Sequence, residues 1–426
     1  MKRYGFFKGA VILSLLLLLV FSACRSEGTT EKINEYLQLS TEAYRSEDYP
    51  EYLRLTSKIY ELASENYRNR YNLACAYALN DDALNAVRTL WFLLDVNYDL
   101  ALFAENDNDF RQIRNSKEFR KVVERIREKT KPLNNSEFVF SIPEKDLIPE
   151  GITYDPVEET FYIGSIQKCK IIRIDKEGNI SDFTKERQDG LLSVLGMKVD
   201  ARRKFLWAVS SYGYYKAGIP RELLGTTGVF KYDLQTKKLL KKYMLPQEEN
   251  HFLNDLTIDA DGNVYATDMF IPAVYRIGET IEKFCALPRL PNGIDISDDG
   301  SKLFIAGNGI GVLDIVSKTF KELKHPVNFF LSGDGLYYYH NSLIAVQNGG
   351  LRKINRFFLN KKQDEIVKAQ ALEAYHPVFN LPTTGVVIGD EFYYIANSQI
   401  RAYDAEGNLF PMSELKETKI LKVGLE

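Results

Sequence analysis

One short pattern returns six times in the last two-thirds of the chain. Each copy has a polar residue or a glycine, a short run of strand-forming residues, a tight turn and a second strand. The copies begin at Glu150, Leu195, Asn254, Asn292, Asp334 and Thr384. Residues 137–426 divided among six units give about 48 residues each, which is the length of a four-stranded propeller blade. The spacing predicts an all-β six-bladed β-propeller, closed by a strand around residues 138–140 that joins the last blade.

The chain before the propeller has a different periodicity. Apolar residues at helical spacing run through 71–79, a polar turn follows at 80–82, and a second helical face begins at Ala83. This helix–turn–helix resembles a tetratricopeptide repeat. We therefore predict a small all-α tetratricopeptide-like region over residues 31–130. It could be a docking surface for a protein partner, or a spacer that lifts the propeller off a membrane.

The first residues have the features of an export signal. Lys2 and Arg3 precede an apolar run over residues 10–20, and small residues then lead to Cys24. This order resembles a bacterial lipobox, and predicts a lipoprotein signal peptide over 1–23 and a lipidated linker over 24–30. Acyl chains on Cys24 would anchor the protein to a membrane of the bacterial cell envelope. The alternative is an ordinary signal peptide with an incidental cysteine.

Composition excludes several other classes of function. The net charge is -3 and acidic and basic residues are mixed along the chain, so no basic stripe points to nucleic acid. The four cysteines are scattered, so they indicate neither a disulfide framework nor a zinc site.

Propeller topology brings the starts of the innermost strands together at one end of the central channel. Four of the six starts carry an oxygen-bearing side chain: Glu150, Asn254, Asn292 and Asp334. Two carboxylates and two amides suit a hard cation, so we predict a site for Ca²⁺, with Mg²⁺ or Mn²⁺ as alternatives. The competing interpretation is that these polar residues only satisfy exposed backbone groups.

The same positions carry a family resemblance. The stretches that carry it are Pro149-Glu150-Gly151, Asn254-Asp255, Pro291-Asn292-Gly293-Ile294-Asp295 and Asp334-Gly335. They resemble the metal-binding positions of the regucalcin/gluconolactonase family, whose arrangement the paraoxonases and strictosidine-synthase-like propellers share. The resemblance implies that these four donor residues are metal ligands. It also places Asp268 beside the ligands without contact to the metal.

The resemblance further implies that a metal ion polarises a lactone or ester carbonyl. Asp334 and His251 are the candidate catalytic residues for the proton transfer, and a small-molecule lactone or ester is the expected substrate. Blade two departs from the pattern because Leu195-Gly196 offers no side-chain ligand. The alternative is a non-catalytic propeller that binds a ligand or a protein, with a structural metal, as an envelope scaffold.

An aromatic insertion in blade two, residues 212–220, would lie at the same end of the channel. It is interpreted as a lid over the site, or as a surface loop with incidental tyrosines.

Overall fold

The computed structural model describes residues 27–426 apart from 65, 97, 213–219, 327–328, 330, 350 and 405. The chain divides into two compact units, a helical one that ends at Lys131 and a β unit that begins at Pro132. Within the described part of the chain, every helix is too short or too polar to cross a membrane.

The described residues of the helical unit form five α-helices, each of which packs against the next. They are α1 (Glu27–Arg45), α2 (Tyr49–Leu62), α3 (Tyr67–Leu79), α4 (Ala83–Asp95) and α5 (Lys117–Lys129). Two short 3₁₀ segments, Asp99–Phe103 and Asn108–Phe110, join the last two helices. Four helices begin at a side chain that accepts a first-turn backbone N–H, namely Asp48, Asn66, Asp82 and Ser116. These caps explain why the helical pattern restarts after each polar turn.

The β unit is a six-bladed propeller, and each blade is one four-stranded antiparallel sheet. The first strand of the unit is β1 (Glu137–Ile142). Blade one is β2 (Pro149–Asp155), β3 (Thr160–Ser165), β4 (Ile171–Ile174) and β5 (Ile180–Asp182). Blade two is β6 (Ser193–Asp200), β7 (Phe205–Ser211), β8 (Thr227–Asp233) and β9 (Leu239–Met244). Blade three is β10 (Leu253–Ile258), β11 (Val264–Asp268), β12 (Ala273–Ile277) and β13 (Ile281–Ala286).

The remaining blades repeat this order. Blade four is β14 (Pro291–Ile296), β15 (Lys302–Gly307), β16 (Gly309–Asp314) and β17 (Thr319–Glu322). Blade five is β18 (Leu336–Tyr339), β19 (Ser342–Gln347), β20 (Lys353–Leu359) and β21 (Ile366–Ala374). Blade six is β22 (Gly385–Ile388), β23 (Glu391–Ile395) and β24 (Thr418–Gly424), completed by β1. Short 3₁₀ segments lie in the loops at Lys145–Leu147, Gln188–Gly190, Arg221–Leu223 and Gln247–Glu249.

The ring closes because β1 pairs with β24 as the outermost strand of blade six, which confirms the predicted closure. The buried carboxylate of Glu373 fastens the segment before β1. It accepts the backbone N–H of Asn135 at 3.0 Å and that of Ser136 at 2.8 Å. Blade six thus contains strands from both ends of the β unit, which holds the ring closed.

Apolar side chains fill the spaces between neighbouring blades. One cluster joins Trp207 and Val229 of blade two to Leu256, Ala266 and Tyr275 of blade three. A strand with both faces buried against neighbouring sheets reads as a continuous apolar run, as the second strands of the blades do. The packing fixes the six innermost strands around one axis, and so fixes where their first residues lie.

Candidate metal centre at the starts of the innermost strands

A β-bulge occurs at the start of each innermost strand in blades one to four. The register shifts fall between residues 149 and 152, 194 and 197, 253 and 256, and 291 and 294. A bulge places two residues opposite one and turns a side chain away from the sheet. The bulged pairs include Glu150, Asn254 and Asn292, so local backbone irregularity aims the predicted donors.

Glycines next to the donors let neighbouring blades approach closely. A Cβ added at Gly151 would lie 1.9 Å from the carbonyl oxygen of Leu195. At Gly293 the corresponding distance is 2.4 Å, to the carbonyl oxygen of Asp334. Both distances are far below van der Waals contact, so these positions require glycine because of space. The close approach brings the donor of one blade within reach of the next.

Three of the four predicted ligands form a hydrogen-bonded chain across blades three, four and five. The amide of Asn254 donates to the side-chain oxygen of Asn292. The amide of Asn292 donates to Asp334 Oδ1 at 2.7 Å, and Asn348 donates to Asp334 Oδ2 at 2.6 Å. The structure therefore brings together side chains that are 80 residues apart in sequence (from 254 to 334).

The fourth predicted ligand, Glu150, faces this chain from blade one. Its carbonyl oxygen accepts the hydroxyls of Thr383, at 3.1 Å, and Thr384. Its side chain is buried, and Oε2 has no hydrogen-bond partner among the described residues. Burial, followed by the negative charges of Asp334 and Asp255, raises the pKa of Glu150 well above its ordinary value. A buried carboxylate without a partner is costly, and a bound cation removes that cost.

Asp334 shares this environment. Burial raises its pKa to about 6. The hydrogen bonds from Asn292 and Asn348, followed by the charge of Arg401, act in the opposite direction. All four donors offer oxygen, two of them are carboxylates, and one oxygen is unsatisfied, so the residues present fit a hard divalent cation.

Part of the propeller matches a known protein family. Residues 148–313 match the family model described as SMP-30/Gluconolactonase/LRE-like region. The propeller is gluconolactonase-like. No curated protein matches the chain.

Solved structures that are similar to this chain have low sequence identity to it. A gluconolactonase from Xanthomonas campestris is 12% identical, with 68% of this chain and 91% of that chain covered and a TM-score of 0.47. A virginiamycin B lyase from Staphylococcus aureus is 16% identical, with 68% and 100% covered and a TM-score of 0.45. A luciferin-regenerating enzyme is 15% identical, with 69% and 95% covered and a TM-score of 0.46. At such identities the likeness is confined to the fold.

One acidic residue at this site, Asp255, is not among the candidate residues that the sequence analysis identifies. It is buried, and it accepts the backbone N–H of Leu256 at 2.9 Å and that of Ile294 at 3.3 Å. Burial raises its pKa to about 7, against the opposing charge of Lys198. The repeats contain a sequence signal for this residue. The second residue of the repeat is glycine at positions 151, 196, 293 and 335, but it is aspartate in blade three.

Gly196 explains why blade two contributes no oxygen-bearing side chain to the site. A Cβ added there would lie 2.3 Å from Asp255 Oδ1. The space in front of blade two is therefore filled by the carboxylate of blade three. The missing side chain is what allows a third acid group to approach Glu150.

The structure places the other two predicted residues, His251 and Asp268, against each other. His251 Nδ1 lies 2.6 Å from Asp268 Oδ2, and Nε2 lies 3.2 Å from Glu249. The imidazole is 1% exposed and packs edge-on against Tyr275, on the third strand of blade three. His251 is therefore held toward the outer part of its blade, whereas the donor residues lie on the innermost strands.

Asp268 is also anchored to the backbone of the same region. Its Oδ1 accepts the N–H groups of Phe252, Phe270 and Ile271 at 2.9–3.1 Å. Its contacts in the described structure are thus with His251 and two loops of blade three, rather than with the four donors.

Two predictions concern residues outside the described ones. Cys24 lies before residue 27, and most of the aromatic insertion of blade two lies within 213–219.

A surface groove of about 430 Å³ lies at the opposite end of the blades and does not involve the donor residues. It is lined by Val139, Phe140, Tyr154, Glu159, Phe161, Ile174, Asp175, Lys176, Glu177, Gly178, Ile388 and Tyr393.

Proposed function

We propose that this chain hydrolyses a small-molecule lactone or ester with a divalent metal, Ca²⁺ first and Mg²⁺ or Mn²⁺ as alternatives. The observation that carries the proposal is the unpartnered, buried carboxylate oxygen of Glu150 facing the hydrogen-bonded donors Asn254, Asn292 and Asp334. The family matched over residues 148–313 includes gluconolactonase in its description, which supports a lactone as substrate.

Glu150, Asn254, Asn292 and Asp334 would hold the ion. When bound, such an ion supplies a Lewis acid that polarises a carbonyl and lowers the pKa of water. Asn348 and Asn292 each donate to one oxygen of Asp334, so they fix the orientation of this carboxylate. Asp334 is the group that would take a proton from the attacking water.

His251 is a weaker candidate for the base in this proposal. Both of its ring nitrogens are engaged, and its side chain is buried beside Tyr275. We assign His251 and Asp268 to holding the loops of blade three in place, and so the position of Asn254 three residues further along.

Hydrolysis of lactones and aryl esters by the purified full chain in detergent tests the proposal, with Ca²⁺ or with a chelator. Glu150→Gln and Asp334→Asn should each lower kcat/KM by about 100-fold, equivalent to about 2.7 kcal/mol. Asp261→Asn, in an exposed turn at the other end of blade three, is the matched control and should retain activity. Metal-independent hydrolysis that survives both site variants would contradict the proposal.

The second candidate is a non-catalytic propeller that binds a ligand or protein and keeps a structural metal, as an envelope scaffold. The engagement of His251 by Asp268 and Glu249 favours it, because this leaves Asp334 to act as both ligand and base. Metal binding without hydrolysis across the lactone and ester panel would select this alternative. The helical unit would then be the natural place to look for a protein partner.

We further propose that the protein is exported and anchored in the bacterial cell envelope through lipid on Cys24. The support is the order of charged, apolar and small residues before this cysteine. Metabolic labelling with a radioactive fatty acid should mark the wild-type protein but not Cys24→Ala. Equal labelling of the two would overturn the assignment.

A further inference from the structure

Blade six begins with two threonines, Thr383 and Thr384, whose hydroxyls are not among the proposed ligands. Both side chains are buried. Both hydroxyls donate to the same acceptor, the backbone carbonyl oxygen of Glu150 in blade one. A carbonyl oxygen has two lone pairs, so these two hydrogen bonds use its full capacity as an acceptor. The backbone of Glu150 is therefore held by blade six, and its carboxylate remains as the group that can bind an ion.

Thr383 is also bonded to blade five. Its carbonyl oxygen accepts the backbone N–H of Gly335, the residue after Asp334, at 3.2 Å. One residue thus contacts the backbone beside both proposed carboxylate ligands, Glu150 on one side and Asp334 on the other. We call Thr383 with its bonds to Glu150 and Gly335 the threonine bridge.

The blade-five side of the threonine bridge is tightly packed. The buried hydroxyl oxygen of Tyr337 accepts the backbone N–H of Gly385 at 2.7 Å. A Cβ added at Gly335 would lie 2.8 Å from this hydroxyl oxygen and 3.1 Å from the carbonyl oxygen of Thr383. Since little space remains between blades five and six, their separation at this level is fixed.

The threonine bridge supplies a link that the donor side chains do not make. Asn254, Asn292 and Asp334 are hydrogen-bonded to one another, which sets their spacing across blades three, four and five. Between blades five and one there is no such chain, because Glu150 Oε2 has no hydrogen-bond partner among the described residues. The spacing of the two carboxylates therefore depends on their backbones, which Thr383 joins.

This spacing matters because Ca²⁺ and Mg²⁺ differ in the ligand distances that they require. Ca²⁺ accepts oxygens at about 2.3–2.6 Å in flexible geometry, whereas Mg²⁺ demands a near-ideal octahedron at about 2.0–2.1 Å. Two carboxylates on backbones of fixed separation cannot both move inward to follow the smaller ion. A rigid link between their strands thus favours the larger ion.

We propose that Thr383 is a positioning residue that fixes the separation of Glu150 and Asp334, and so makes the site select Ca²⁺ over Mg²⁺. The inference rests on the proposed function, and it names the ion selectivity of the same site. It also gives blade six a role in the metal centre, although this blade supplies none of the four proposed ligands.

The test measures metal binding without substrate. The purified full chain in detergent, stripped with a chelator, is titrated by calorimetry with Ca²⁺ and separately with Mg²⁺. The wild type should bind Ca²⁺ more tightly. Thr383→Val keeps the side-chain shape but removes the hydroxyl, and should lower the ratio of Ca²⁺ to Mg²⁺ affinity by about tenfold, the scale for loss of a ligand-orienting contact. Thr383→Ser retains the hydroxyl and should retain the ratio.

A matched control separates positioning from stability. The buried hydroxyl of Ser193, at the start of blade two, donates to the carbonyl oxygen of Ile166 in blade one at 3.1 Å. Ser193→Ala removes the same kind of bond between neighbouring blades, but away from the four ligands, so it should leave the ratio unchanged. Tyr337→Phe loosens the blade-five side and should lower the ratio in the same direction as Thr383→Val. This second variant decides the inference if Thr383→Val does not fold.

The inference is overturned by a wild type that binds the two ions equally, or by a ratio that Thr383→Val leaves unchanged. Equal weakening of both ions belongs to the second case, because the hydroxyl would then act on stability alone. Absence of hydrolysis across the lactone and ester panel would count against the proposed function only, since the titrations contain no substrate. A wild type that binds neither ion would remove the metal centre, and the inference with it.

Discussion

Each unit of this protein contains a cluster of side chains that could bind a metal ion, and the two clusters differ in whether their carboxylate oxygens have hydrogen-bond partners. In the helical unit, ligand atoms of Cys75, Asp107 and Asp109 lie within 4.8 Å of one another. Tyr44 donates its hydroxyl to Asp109 and Tyr71 donates to Asp107, both at 2.7 Å. This cysteine–carboxylate cluster is thus closed by hydrogen bonds from two helices.

In the propeller the corresponding cluster is not closed in this way. Asn254, Asn292 and Asp334 are linked to one another, but Glu150 keeps a buried oxygen without a partner among the described residues. Closeness of acidic groups alone therefore does not identify a metal site. What distinguishes the propeller set is a negative charge that the surrounding residues leave uncompensated.

The largest expected effect is on how stability depends on pH in the metal-free propeller. The pKa values of Asp255, about 7, and Asp334, about 6, lie above the ordinary value near 3.9. The folded state then binds more protons than the unfolded state, so the free energy of unfolding should fall as pH rises from about 4 to 7. For Asp255 alone the loss is on the order of 4 kcal/mol, and Ca²⁺ should remove most of it.

Fluorescence can assign this change to one unit. The chain has two tryptophans, one in each unit, so Trp91→Phe leaves Trp207 of blade two as the reporter of the propeller. Urea unfolding of this variant at pH 5 and pH 7.5, with a chelator or with Ca²⁺, measures the effect. A metal-free propeller that is more stable at pH 7.5 than at pH 5 would contradict this prediction and the contrast between the two clusters.

The next effect is on metal affinity. Glu150→Gln removes one negative charge from the uncompensated set, and should weaken Ca²⁺ binding by about 100-fold, or about 2.7 kcal/mol. Asp107→Asn, the matched change in the cysteine–carboxylate cluster, should leave Ca²⁺ affinity and stoichiometry unchanged. Calorimetric titration compares the two variants. If Asp107→Asn lowers the stoichiometry, the helical cluster is a metal site as well.

A smaller effect concerns the stability of the helical unit. Tyr71→Phe leaves a carboxylate oxygen of Asp107 without its hydroxyl donor, and should cost about 1–3 kcal/mol. Urea unfolding of Trp207→Phe, in which Trp91 of α4 reports on the helical unit, measures it. Since Asp107 binds no metal in this account, Ca²⁺ should not restore the lost stability.

Sequence alone was sufficient for the features that repeat. Six copies of one strand–turn–strand pattern predicted six blades, and four polar residues at equivalent positions predicted which side chains approach the channel. Three of these residues, Asn254, Asn292 and Asp334, are hydrogen-bonded to one another, as neighbouring positions in this topology can be. The reason is that topology maps equivalent sequence positions to equivalent places in space.

Features that occur once were not predictable in this way. The role of Asp255 depends on the space left by Gly196, 59 residues earlier in the sequence (196 to 255). Asn348 comes from a loop whose course is set by packing, so no periodicity in the sequence indicates that it contacts Asp334. The pairing of His251, in the loop before β10, with Asp268, at the end of β11, likewise depends on tertiary packing.

The smallest expected effect tests whether the orientation of the ligand carboxylate, and not only its charge, contributes to Ca²⁺ affinity at the propeller site. Asn348 carries no charge, but its amide holds Asp334 Oδ2 at 2.6 Å. Asn348→Ala frees this carboxylate to rotate and should weaken Ca²⁺ binding by about tenfold, the lower end of what loss of a ligand-orienting partner costs. Asn360→Ala, which removes an amide bonded to Asp364 at the other end of blade five, is the matched control and should leave Ca²⁺ affinity unchanged. An Asn348→Ala variant with wild-type affinity would mean that the uncompensated charge alone holds the ion, because the ligands would then need no fixed orientation.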